Sequence, residues 1–144
     1  MEKVFTGPEQ IRAKDFDLDR VLGREGVQIV HLSGLIGALS PDTGTCCLEI
    51  ARAAKKYGTR IAFDLNYRAS FWKGREKELS AIFAEIASVS DILVGNEEDF
   101  QLCLGILLSG VLLRHVGVGR ADGLCALDHV AGSAHVLLRQ VFAR

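Results

Sequence analysis

The chain has 144 residues, 49% hydrophobic and 24% charged, with a net charge of −1. This suits a soluble, single-domain globular protein large enough to bury a core. Near-neutral charge provides no basic field, which argues against nucleic-acid binding by bulk electrostatics. The longest apolar run, residues 102–113, holds 12 residues, whereas a membrane span needs roughly 20, so no membrane partner is expected. The N-terminus shows no apolar leader. The cysteines Cys46, Cys47, Cys103 and Cys125 have neither CxxC nor zinc spacing. A reduced, cytoplasmic protein is the expectation.

Residues 1–14 carry no clear period and are expected to be irregular. Residues 15–23, DFDLDRVLG, predict a short helix stopped at Gly23. VQIVHL (residues 27–32) is β-branched and continuous, as in a strand buried within a parallel sheet. His31, inside that run, is expected to be a hydrogen-bonded core histidine. SPDTG then supplies a helix start: Ser40 as cap, Pro41 in the first helical position and Asp42 near the positive end of the dipole. Cys47, Ile50, Ala51, Ala54 and Tyr57 follow at helical spacing, and Gly58 ends the helix.

RIAFDL (residues 60–65) predicts a second strand. Residues 74–90 predict an amphipathic helix with Leu79, Ile82, Phe83 and Ile86 on one face. DILVGN (residues 91–96) predicts a third strand, and EEDFQLCLG starts a third helix. Strands alternating with long crossover helices pair in parallel. The expected fold is therefore α/β: a three-layer α/β/α arrangement with at least three parallel strands. Open sheets of this kind bind ligands at the carboxyl ends of their strands. Three polar endpoints fall there: Ser33-Gly34, residues 64–68 (Asp-Leu-Asn-Tyr-Arg) and Gly95-Asn96.

After Ile106 the composition changes. Residues 107–144 contain no lysine or glutamate and three of the four histidines, His115, His129 and His135. GSAHVLLRQVFAR (residues 132–144) fits a helix with Ala134, Leu137, Leu138, Val141 and Phe142 on one face. Residues 107–119 fit strand or helix equally.

VHLSGLIGALSP (30–41), FDLNYRASFW (63–72) and VGNEEDFQL (94–102) together resemble the middle of a ribokinase-like (PfkB) carbohydrate kinase. Within that family the likeness is strongest to 2-keto-3-deoxygluconate kinase, with its acid-x-Asn-Tyr-Arg run followed by a tryptophan. The resemblance covers residues 15–106, so a partial kinase domain there and a divergent tail over 107–144 are expected. It implies transfer of the terminal phosphoryl of ATP to a hydroxyl of a sugar or sugar acid, with ATP and magnesium as cofactors. Asn66 and Arg68 would face the sugar, the guanidinium fork suiting a carboxylate. Asn96 and Asp99 match an Asn-x-x-acid motif and would serve the nucleotide, with Asp99 toward magnesium, directly or through water.

The departures bear on activity. The family's lid-bearing amino-terminal third and its Gly-Ala-Gly-Asp run, with the catalytic aspartate, have no counterpart here. GVGR (residues 117–120) has arginine where the acid should stand, and Asp122 comes two places late. No catalytic residue is assigned, and the chain alone is expected to be inactive. Each motif also has a structural reading. Arg68 can be read as a solvated arginine or as an ion-pair partner of Asp64; Asn96 and Asp99 as a helix cap; and Tyr67, Phe71 and Trp72 as packing. Two other functions stay open: a truncated, spliced or frameshifted product acting by interaction, and a nucleotide-binding module unrelated to sugars. Unpaired sheet edges would favour homo-oligomers.

Overall fold

The computed structural model describes residues 7–106 and, beyond them, the backbone of two strands. Strands β1 (Ile29–Ser33), β2 (Arg60–Asp64) and β3 (Ile92–Gly95) pair in parallel in that order. Between β1 and β2 lie a five-residue helix, α1 (Gly34–Ala38), and the long α2 (Pro41–Lys56). Between β2 and β3 lie one turn, α3 (Ala69–Trp72), and α4 (Glu76–Val89). α5 (Glu97–Leu104) follows β3. The expected α/β fold with three parallel strands is present. The segment before β1 forms two short 3-10 turns and a π-helical turn, Asp19–Arg24, which runs one residue past Gly23.

Local chemistry sets the helix ends. Ser40 Oγ accepts the Thr43 N–H at 3.2 Å and Pro41 opens α2, an N-terminus stabilised by about 1 kcal/mol. Gly58, at φ 71°, takes the left-handed conformation that closes the helix. Both crossovers step the same way across the sheet, so right-handed connections place α2 and α4 on one face. The two helices do pack together, and α5 packs on α4. These helices form a single layer over one face of the sheet among the described residues.

The core lies between them and the sheet. Ile61, Phe63 and Leu65 from the second strand region, Leu79, Phe83 and Ile86 from α4, Ala51 and Ala54 from α2, and Phe100 from α5 are all fully buried. Each large apolar side chain buried there contributes about 1.5–3 kcal/mol. Cys47 and Cys103 join this core, and burial pushes both thiols up to about 12. They stay protonated and behave as small apolar side chains.

Three expectations are corrected. β1 is not buried on both faces: Leu32 points into the core, whereas Ile29 is 45% exposed. His31 is exposed rather than a core histidine. It shares the outer face of the sheet with Ala62, its register partner, and with Ile92, the partner of Ala62 on β3. The helix expected over residues 132–144 gives way to a strand, β5 (Ala134–Arg139), antiparallel to β3, with β4 (Leu124–Val130) antiparallel to β5. A short apolar run follows whichever backbone partner is offered, and the far edge of β3 offers a row of unpaired N–H and C=O groups. Residues 107–119, Asp122 and His115 lie outside the described residues. Among the described residues no helix is long and apolar enough to cross a membrane.

Candidate functional site

Parallel register brings the three polar strand ends together. Ser33 lies opposite Asp64, and Asp64 opposite Val94. The ladder continues one residue further, where the Leu65 N–H donates to the Val94 carbonyl at 2.8 Å. Asn66 then turns the chain out of the sheet at φ 39°. Asparagine tolerates this left-handed region better than most residues. The next peptide is held from a distance in sequence: the Tyr67 N–H donates to Asp99 Oδ1 at 3.2 Å.

Asp99 belongs to the start of α5. Its N–H donates to Asn96 Oδ1 at 2.7 Å, and its Oδ2 accepts the Asn96 N–H at 3.0 Å. This is the reciprocal capping box expected from the structural reading. Asn96→Ala should therefore cost about 1 kcal/mol, read as a lower urea midpoint at unchanged slope. A loss under about 0.3 kcal/mol, the scale of a Gly replacement, would mean that Asp99 alone supports this terminus.

Arg68 is exposed, and its Nη1 donates to the carbonyl of Tyr67 at 2.8 Å. It forms no salt bridge with Asp64 among the described residues, so that reading does not hold. The guanidinium keeps most of its five donors for other partners. From the neighbouring Tyr67, aromatic rings form a continuous chain into the core. Tyr67 lies 5.3 Å from Trp72, Trp72 is 5.0 Å from Phe83, and Phe83 is 5.1 Å from Phe63. Trp72 is 2% exposed, and Phe71 is half-buried against the same core. The aromatics of this stretch are packing, as the structural reading expected.

The metal question turns on Asp99. Each of its oxygens already accepts one backbone N–H, and the Asn96 amide oxygen is engaged as well. No group of three or more His, Cys, Asp or Glu side chains able to hold a metal occurs among the described residues. One carboxylate with spare lone pairs fits magnesium that keeps most of its waters, and does not fit a closed protein cage.

Two contributors escaped sequence reasoning. Arg75 Nη1 donates to the Ala38 carbonyl at 2.6 Å while the same side chain pairs with Glu78, pinning α4 to the end of α1. The i,i+3 pair is visible in sequence, but the bond 37 residues away is not. Gly34 abuts the carbonyl of Leu65 so closely that a Cβ would overlap it. Nothing local announces that contact.

No protein-family model matches the chain. Among curated proteins it is 33% identical over 98 residues to a 5-dehydro-2-deoxygluconokinase of Clostridium perfringens, covering 68% of this chain and 28% of that protein. Among solved structures, the 2-dehydro-3-deoxygluconokinase of Thermotoga maritima matches with a TM-score of 0.62 and 28% identity, over 71% of this chain and 30% of the other. A PfkB family carbohydrate kinase from Listeria grayi matches with a TM-score of 0.57 and 28% identity, over 66% and 28%. The chain thus spans under a third of the length of these relatives. Over about two thirds of its own length, this chain belongs to the ribokinase-like (PfkB) carbohydrate kinase family and represents one segment of that fold.

Proposed function

We propose that the chain carries the sugar-facing and phosphate-facing loops of an ATP-dependent kinase for a sugar acid such as 2-keto-3-deoxygluconate. The observation supporting this most is the hydrogen bond joining the Asn66–Arg68 loop to the Asn96–Asp99 turn at the carboxyl ends of the parallel strands β2 and β3. Arg68 binds the sugar carboxylate through paired N–H donors. Asn66 lines the same loop. Asn96 and Asp99 face the nucleotide, and Asp99 reaches magnesium through its waters. Glu97, Glu98 and Asp99 crowd the first turn of α5, so a phosphate approaching this terminus meets carboxylates and needs a cation between. Bound magnesium would supply that charge and shield the phosphate oxygens. Among the described residues the machinery orients and neutralises, and none is assigned as the general base.

Titration calorimetry tests the reading. The chain should prefer 2-keto-3-deoxygluconate to a neutral deoxy sugar by about tenfold or more, the worth of a charge-assisted hydrogen bond. Arg68→Ala should abolish that preference with little change in melting temperature, because the side chain is exposed. Equal affinity for both sugars in the wild type would overturn the proposal. In a coupled assay with ATP and magnesium, the 144-residue chain by itself should show no turnover near about 1 s⁻¹, the low end of ordinary enzymes.

A second reading, a non-catalytic interaction module, is favoured by the open outer face of the sheet, where Ile29 and His31 are exposed. Self-association without sugar or nucleotide binding would support it.

A further inference from the structure

We infer that Asp99 is a positioning residue for Arg68: through the Tyr67 peptide, its carboxylate sets where the guanidinium stands. The inference deepens the sugar-acid reading above and rests on it for its functional meaning, but its geometry stands alone.

A capping box asks one thing of its third residue, that it accept the N–H of the cap. Asp99 Oδ2 does this at Asn96. Oδ1 does something the cap does not need. It accepts the N–H of Tyr67, 32 residues earlier in the chain. That N–H follows Asn66, where the chain has just left the sheet at positive φ. The preceding tie to β3 is at Leu65, and the following backbone bonds, from Phe71 and Trp72 to the Arg68 carbonyl, lie within the α3 turn. The bond to Asp99 is therefore what crosses from this exit to another strand's loop.

The effect passes on to Arg68. Its Nη1 is bonded to the carbonyl of Tyr67, so displacement of the Tyr67 residue displaces the guanidinium's own anchor. Tyr67 is supported on its ring side by Trp72 and on its backbone side by Asp99. A fork that recognises a planar carboxylate depends on orientation, and a shift of about 1 Å in such a group weakens binding strongly. Asp99 touches neither the guanidinium nor a ligand bound by it. It acts through the intervening peptide.

Amide hydrogen exchange and Arg Nε–H resonances, followed by NMR without any ligand, test the geometry. In Asp99→Ala the Tyr67 amide should exchange about tenfold faster or more relative to the amides of β2 in the same sample, as expected for loss of a bond to a charged acceptor. The Arg68 Nε–H resonance should move with it. Glu98→Gln removes a charge from the same helical turn without a bond to Tyr67 and should leave both signals in place. Asp99→Asn, which keeps the side-chain shape, has one acceptor oxygen where the carboxylate has two. It should lose protection at Tyr67 or at Asn96, and serves if the alanine variant does not fold.

An unchanged Tyr67 amide in Asp99→Ala, or protection kept at both Tyr67 and Asn96 in Asp99→Asn, would overturn the inference. So would a Tyr67 change with a stationary Arg68 resonance. The sugar readout is separate: Asp99→Ala should lose the preference for 2-keto-3-deoxygluconate as Arg68→Ala does. If both NMR signals respond but the wild type binds no sugar acid, the positioning link stands and the sugar-acid reading fails.

Discussion

Phe83→Ala should cost about 3–5 kcal/mol, the range for removing a buried aromatic from a tight core. Against a typical total stability of about 5–15 kcal/mol, that is enough to leave much of the chain unfolded. Phe83 is fully buried at the middle of α4. It meets Phe63 at a 69° interplanar angle and Trp72 at 80°, edge-to-face geometries that add about 0.5–1.5 kcal/mol beyond area burial. The loss has a functional side. Trp72 rests on Phe83 and Tyr67 rests on Trp72, so a cavity at position 83 removes support from the peptide that anchors Arg68. Trp72 is the chain's single tryptophan, and its emission reports both unfolding and local loosening. Urea titration of Phe83→Ala beside Ile82→Ala, which truncates a half-buried neighbour on the same helix, provides the comparison. A Phe83 cost no larger than the Ile82 cost would mean that the ring chain is not what supports the rim.

The parts of this fold that were legible in sequence are those whose causes are local. Ser40 and Asn96 announce helix starts because a cap bonds three residues on, and Leu79, Phe83 and Ile86 mark a face because a helix repeats every 3.6 residues. The parallel order of β1, β2 and β3 follows from the crossover rule. By contrast, α1 and α3, at five and four residues, are too short to show a period. Whether His31 is buried depends on which sheet face the helices cover, and both crossovers leave its face open. The strand at Ala134–Arg139 depends on the free edge of β3, a partner about 40 residues away in sequence. At the site, the resemblance pointed to Arg68, Asn96 and Asp99. The link from Asp99 to Tyr67 and the reach of Arg75 to Ala38 are tertiary facts, and nothing within a turn of either residue predicts them.

Gly34→Ala should destabilise the chain by about 3 kcal/mol or more, beyond the usual range for added volume because backbone is what stands in the way. A Cβ at position 34 would overlap the Leu65 carbonyl oxygen and stand 2.8 Å from both the Leu65 carbonyl carbon and Phe83 Cε2. Phe83 has little room to turn, being held between two other rings. Leu65 cannot retreat either, since its N–H is bonded to Val94 and its side chain is fully buried. Relief therefore requires the start of α1 to move away from the exit of β2, opening the rim between the first two strand ends and shifting the peptides that lead to Asn66 and Arg68. Gly37, three residues along in the same helix, is the control. A Cβ there meets Cys47 Sγ and Phe83 Cε1 at 3.7 Å, ordinary contact distances. Helix propensity favours alanine over glycine by about 1 kcal/mol, so Gly37→Ala should be neutral or slightly stabilising. The two substitutions add the same methyl group to the same helix. Equal denaturation midpoints for them would show that the close approach of Gly34 to Leu65 yields easily, and that this junction does not hold the rim in place.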